Sequence, residues 1–216
     1  MKATAVLTAL SLGSLTFGSA ATIVDTTYSY DIAPGFSGGG GLYLDDLAGT
    51  TLNQANTPFS AGDLNDGVVY NGTNPVTDNG GINSMVAWNP APLPATIIFD
   101  LGGAYSVNDV VITGYAWTPF NLGQPGSVTI SYSNDNVTYG AGANYALNGG
   151  NGAVTNNTGS SAAEARYVKL AFDGTTQAGD KWGLTEISFD GDRIPEPSAS
   201  MLLSLAGLAV ILRRRK

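Results

Sequence analysis

The 216-residue sequence contains no histidine and no cysteine. That excludes thiol and imidazole nucleophiles, Ser-His-Asp triads and the usual zinc ligand sets. The groups left for chemistry are carboxylates and a few Lys, Tyr and Ser side chains. A glycosidase needs two carboxylates facing each other across a cleft. With 17 acidic residues the composition leaves that open, but no motif marks a pair, and the expectation is a non-catalytic protein. A second candidate set is aromatic, in Tyr115-Ala116-Trp117-Thr118-Pro119-Phe120-Asn121. On a loop, Tyr115, Trp117 and Phe120 would stack on sugar rings while Asn121 bonds hydroxyls. The competing reading has Trp117 and Phe120 closing one end of a core, since large aromatics are usually buried. Trp88 and Trp182 are assigned to the core or its edge.

Charge narrows the ligand classes. With Lys2, Glu196 and the four terminal cations set aside, 4 basic and 16 acidic residues remain, a net charge of −12. Such a chain is a poor partner for nucleic acid and for anionic membrane surfaces. It is compatible with calcium or a neutral glycan. The absence of Cys also excludes disulfides, even in a compartment that permits them.

The elements that must position these residues read as strands. Ser127 to Ser133 alternates with Val128, Ile130 and Tyr132 on one face, and Val168, Leu170 and Phe172 alternate in the same way. Ile187 pairs with Phe189, while 95–101 and 107–117 are more continuously apolar, as central strands are. Further candidates are 22–30 and 41–44. Gly102-Gly103, Pro125-Gly126 and Asn134-Asp135-Asn136 are expected to be turns between strands, and 38–41 a four-glycine turn. The Gly/Asn/Ala/Ser-rich stretch 140–163 is expected to be a long surface loop with one short strand. Many short strands without helical periodicity predict an all-β protein, a β-sandwich.

Both ends carry address signals. Lys2, an apolar stretch from Ala5 to Phe17 and small residues Gly18-Ser19-Ala20 read as a signal peptide over 1–20. At the other end, Pro195-Glu196-Pro197 precedes an apolar run at 198–212 and the basic stop at 213–216. As a helix the run would reach about 22 Å, short of the roughly 30 Å hydrocarbon core. The cations that follow it directly suit a cytoplasmic stop, so a membrane-inserted tail is expected rather than a core helix. The arrangement resembles the PEP-CTERM sorting signal, with Ile194 where that family usually has Val. The resemblance implies that Pro195, Glu196 and Pro197 are read by an exosortase, a membrane protease that removes the tail after a transient membrane anchorage. It leaves 21–192 as the exported domain and 193–216 as the sorting tail.

Within that domain, Leu64-Asn65-Asp66-Gly67 precedes Trp88, followed by Phe99-Asp100-Leu101-Gly102. Ile130-Ser131-Tyr132-Ser133-Asn134-Asp135, Ala165-Arg166-Tyr167-Val168-Lys169-Leu170 and Gly183-Leu184-Thr185-Glu186-Ile187 come next. In this order and spacing the motifs resemble the discoidin, or coagulation-factor C-terminal, domain over about 60–191. Its relatives include sugar-binding modules of bacterial glycosidases. The resemblance implies a galactose-binding-like jelly roll. It also implies a structural calcium ion held by Asp66 in the early turn and Glu186 near the last strand, with Asp63 as a further donor and Asn65, Gly67 and nearby backbone completing the shell. Without a cation, Asp66 is a turn cap and Glu186 a surface strand residue. Arg166 and Asp100 read as structural, the latter organising the Gly102-Gly103 turn. Departures are Asn136 where the family usually has Gly, the missing terminal Cys pair, the long 140–163 stretch and the poor fit of 22–59. Together these features predict an exported, exosortase-sorted, non-catalytic module contacting polysaccharide at the cell envelope or in the extracellular matrix. The alternative is a structural matrix or biofilm protein with no defined small ligand.

Overall fold

The computed structural model describes residues 21–34, 36–38, 41–43, 45–47, 50, 51, 62–70, 85–88, 95–159, 163–175, 181–195 and 213. The expected signal peptide, Glu196, Pro197 and the apolar run at 198–212 lie outside them. No helix among the described residues is long and apolar enough to cross a membrane.

Strands follow one another along the chain: β1 (Ala21–Thr22), β2 (Thr27–Tyr30), β3 (Phe36–Gly38), β4 (Gly41–Tyr43), β5 (Asp46–Leu47), β6 (Thr50–Thr51) and β7 (Val86–Trp88). Then come β8 (Ala95–Ala116), a 3-10 turn at Thr118–Phe120, β9 (Leu122–Gly123), β10 (Pro125–Ser133), β11 (Ala143–Ala146), β12 (Gly152–Asn157), β13 (Ala163–Thr175) and β14 (Lys181–Arg193). Two hairpins, β3–β4 and β5–β6, stand apart from the main sheet.

β8 organises the rest because its 22 residues belong to two layers. Residues 97–100 pair with β2, and 95–100 and 105–107 with β13; β13 pairs with β10, and β10 with β11. Residues 105–115 instead pair with β14 and 111–116 with β12. β14 also carries β1, β7 and, in parallel, β9. The change from β2 to β14 falls around Gly102, whose φ of 73° is open to glycine at little cost. β13 bulges between Ala165 and Tyr167 at the same corner and follows β8 round it.

Alternation fills the space between the layers. Ala95, Ile97, Phe99 and Leu101 are buried on one side of β8, facing the same core as Val128, Ile130, Val168, Leu170 and Phe172. Phe99 meets Phe189 edge-on at 4.9 Å, and Phe172 of β13 meets Trp182 of β14 at 5.6 Å, the latter a contact between strands that are not hydrogen-bonded neighbours. Trp182 stacks on Trp88 at 4.1 Å, both fully buried. Each such side chain contributes about 1.5–3 kcal/mol of apolar burial. The fold is an all-β jelly-roll β-sandwich.

Three local expectations change. Gly102-Gly103 does not end a strand: it is the corner inside one continuous strand. Pro125-Gly126 opens β10, with Pro125 opposite Thr175 and missing only a donor, which a strand's first residue tolerates. The 140–163 stretch holds two strands, not one. β11 and β12 lie largely exposed against β10 and β8, and small polar residues hide such strands from a search for apolar periodicity.

Candidate functional site

The turn at 62–67 is fixed from several sides. Leu64 is fully buried and its carbonyl accepts the Ile187 N–H at 2.8 Å. Asn65 accepts the Gly62 N–H at 3.0 Å and donates through Nδ2 to the Thr26 carbonyl at 2.8 Å and Oγ1 at 3.1 Å. Asp66 Oδ1 accepts the Val68 N–H at 2.8 Å, an Asx-type turn. Gly67, at φ 81°, donates its N–H to Glu186 Oε2 at 2.9 Å. Glu186 sits where the β14–β8 register slips between Leu184 and Glu186, an irregularity that re-aims the side chain toward the turn.

The result is two carboxylates at one corner. Asp66 and Glu186 share a cavity of about 340 Å³ with Asp25, Thr26, Asn65 and Ser188. Burial pushes the Glu186 carboxyl up to about 8; the Gly67 N–H pulls against that rise and the Asp66 charge adds to it. A positive charge is what such a pair wants. Hard oxygen donors at one corner fit calcium, which takes six to eight oxygens at 2.3–2.6 Å. Asp66 and Glu186 would supply its charged donors. Asn65 is turned to Thr26 and Gly62. Asp63 does not line this cavity; it is buried, 1% exposed, on the inner side of the turn. Among the described residues no three acidic side chains converge as a metal cluster, so other oxygens would have to come from the backbone or from neighbouring hydroxyls such as those of Thr26 and Ser188.

Asp63 instead leads to a residue that sequence reasoning missed. Its N–H donates to Asp45 Oδ1 at 2.9 Å. The Asp45 carboxylate is fully buried, and its Oδ2 accepts the Tyr28 hydroxyl at 2.7 Å and the Tyr30 hydroxyl. Burial first, then the Asp45 charge, pushes both phenols well above their ordinary value, so they remain donors. A signal existed: Tyr28-Ser29-Tyr30 places two phenols on one strand face, and buried hydroxyls need an acceptor.

The aromatic segment forms a tight hairpin end. Trp117 N–H donates to the Leu122 carbonyl at 2.8 Å and Leu122 N–H returns to Trp117 at 3.3 Å around the 3-10 turn. Asn151 Oδ1 accepts both the N–H and the hydroxyl of Thr118 at 3.1 Å. Asn121 is exposed at φ 52°, a left-handed position that Asn tolerates. Trp117 is half-buried, packed on a small cluster of Tyr70, Met85, Ala87, Tyr115 and Leu122. Tyr115 is a core residue, 5% exposed, with its ring edge-on to Tyr70 at 4.6 Å. The Phe120 side chain lies outside the described residues. At the other end of β14, Ile194 N–H bonds the Ala104 carbonyl at 2.9 Å, and Pro195 is exposed.

A two-layer jelly roll with a partner-swapping strand and an acidic corner joining its early turn to its last strand defines a discoidin-like domain. The chain belongs to the F5/8 type C domain family, which matches residues 62–187. No curated protein matches the chain. Among solved structures, the C-terminal domain of a chitobiase from Bacteroides fragilis is similar at 16% identity and a TM-score of 0.53, over 82% of this chain and 99% of that one. A Clostridium perfringens module solved with GalNAc-β-1,3-galactose aligns at 16% identity and 0.47, over 78% and 99%. A chitosan-binding module from a Paenibacillus sp. IK-5 chitosanase/glucanase aligns at 20% and 0.47, over 77% and 96%.

Proposed function

We propose that this chain is an exported, non-catalytic binding module that contacts polysaccharide at the cell envelope or in the extracellular matrix. The observation that carries the reading is the F5/8 type C domain itself, whose early turn and last strand bring Asp66 and Glu186 to one corner. The acidic charge disfavours anionic polymers, leaving neutral glycans as the class to test. The hairpin end supplies a preorganised surface, with Trp117 half-exposed beside exposed Thr118, Pro119 and Asn121; a pre-set loop saves ordering entropy on binding. Calcium at Asp66 and Glu186 would clamp the early turn to the last strand. Upstream, the signal peptide exports the chain; downstream, an exosortase recognises Pro195, Glu196 and Pro197 and cuts the tail.

A glycan array probed with the exported protein tests this. Binding to neutral glycans, weakened by Trp117→Ala, is expected. Silence across the array, with assembly by light scattering, would favour a structural matrix protein instead. C-terminal mass spectrometry of the exported protein is expected to find the tail removed; an intact Lys216 there refutes processing.

A further inference from the structure

The buried Asp45 network has no evident role in glycan contact, and its cost needs a reason. A carboxylate removed from water is strongly destabilising unless its lone pairs are engaged, and well-packed apolar residues often do as well or better. Here the donors are Tyr28, Tyr30 and the Asp63 N–H. They come from two places: β2, which is locked to β8 by its ladder, and the first residues of the turn that carries Asp66. Asp45 thus ties the start of that turn to the rigid sheet. The Asn65–Thr26 and Leu64–Ile187 bonds hold its middle, and the Gly67–Glu186 bond its end.

We propose that Asp45 is a positioning residue for the Asp66–Glu186 corner, setting the spacing of the two carboxylates for a calcium ion without touching it; this rests on the calcium reading above. The geometry of the ion makes the demand strict. Oxygen ligands must sit within a few tenths of an ångström of about 2.4 Å. Asp66 lies three residues beyond Asp63, so a turn released at Asp63 rotates about its Asn65 anchor and carries Asp66 with it. The two tyrosines hold the Asp45 carboxylate in one orientation, Oδ2 toward the sheet and Oδ1 toward Asp63. Each ring is itself braced, Tyr28 against Phe99 at 5.2 Å and Tyr30 against Trp88 at 5.6 Å.

The test is calcium titration by calorimetry on the full exported chain, with melting recorded in chelator and in saturating calcium chloride. Asp45→Asn keeps the shape but disturbs the donor pattern, and is expected to weaken calcium binding at least tenfold. Tyr28→Phe and Tyr30→Phe each remove one donor while keeping the ring, and are expected to weaken it less. Ile130→Val, a core change outside the Asp45 hydrogen-bond network and the 62–67 turn, is expected to lower Tm in chelator while leaving the calcium affinity unmoved; it separates plain destabilisation from positioning. If Asp45→Asn fails to fold, the two Tyr→Phe variants carry the test. Wild-type protein that neither binds calcium nor melts higher in it overturns the metal reading and this proposal with it. Wild-type protein that binds, with the Asp45 and Tyr variants binding equally well, overturns the positioning role alone.

Discussion

Arg166 and Asp100 face each other across β13 and β8 and form two parallel hydrogen bonds, Nε to Oδ1 and Nη2 to Oδ2, both 2.9 Å long. Asp100 Oδ1 also accepts the Gly102 N–H at 2.9 Å. The pair therefore sits beside the corner where β8 changes layers. Burial alone would raise the Asp100 carboxyl, but the Arg166 guanidinium and the Gly102 N–H outweigh it and hold it below the ordinary aspartate range. Because Arg166 is 46% exposed, solvent screens the ion pair, and Arg166→Ala is expected to cost no more than about 1 kcal/mol. Asp100→Ala is expected to cost more, about 1–3 kcal/mol, since the Gly102 N–H and the corner lose their acceptor as well. A depressed carboxyl stabilises the fold above its unfolded value and stops doing so as pH falls through the folded one. Urea melts of wild type and Arg166→Ala should differ at neutral pH and converge in acid.

Asn136 gives a second, sharper expectation. The resembled family usually has Gly there, and Asn136 adopts φ 59°, a conformation that costs most L residues about 1–2 kcal/mol. Its backbone N–H donates to Ser133 Oγ at 3.1 Å, and its side chain accepts the Tyr139 hydroxyl. Asn136→Gly relieves the backbone but loses the Tyr139 bond, and is expected to move stability by less than about 1 kcal/mol. Asn136→Val should lose about 1–2 kcal/mol, because a β-branched residue resists positive φ. Thermal melts of the two variants check the pair; a Val variant as stable as the Gly one would show that the turn relaxes elsewhere.

These residues show where sequence reading succeeds and where it stops. Alternation at 128–132, 168–172 and 187–189 gave the strands and their inward faces, since burial imposes a period of two on the side chains. Trp88 and Trp182 were legible as core because large aromatics are usually buried. Asp66 and Glu186 were legible only through family resemblance, being 120 positions apart with no spacing to link them. Asp45 was not legible, because its partners are chosen by the fold and its own stretch has no periodicity. Gly102-Gly103 misled for a physical cause: the same two glycines that end a strand at a turn also let one bend round a corner.

Glycine at close approach makes a stability prediction that separates the two kinds. A Cβ on Gly191 would lie 2.5 Å from the Ser106 carbonyl and 3.2 Å from Ile23, at the point where the β14–β8 register slips. Backbone cannot swing aside as a side chain does, so Gly191→Ala is expected to lose about 1–3 kcal/mol. At Gly103 a Cβ would meet only the Arg193 side chain, at 3.5 Å. Gly103→Ala should therefore be nearly neutral, and chemical denaturation of the two variants side by side reads the contrast.

Glu186 supplies the pH dependence that most directly probes the carboxylate corner. Its carboxyl is pushed up to about 8 by burial and by Asp66, above the ordinary 4.5. In the folded, metal-free chain the proton is held more tightly than in the unfolded chain, so protonated Glu186 favours folding. That contribution is complete below the ordinary glutamate value, declines as pH rises above it, and is gone once pH has risen through the folded value. In chelator, Tm is therefore expected to fall between about pH 5 and about pH 9. Glu186→Gln, neutral throughout, should lose most of that slope. Calcium competes with the same proton, so the rise in Tm on adding calcium should grow over the same pH range. Scanning calorimetry of both proteins, with and without calcium, measures all four slopes. A wild-type Tm that is flat with pH in chelator would show that the Glu186 carboxyl is solvated and ionised throughout, and that the corner holds no stored repulsion for a cation to relieve.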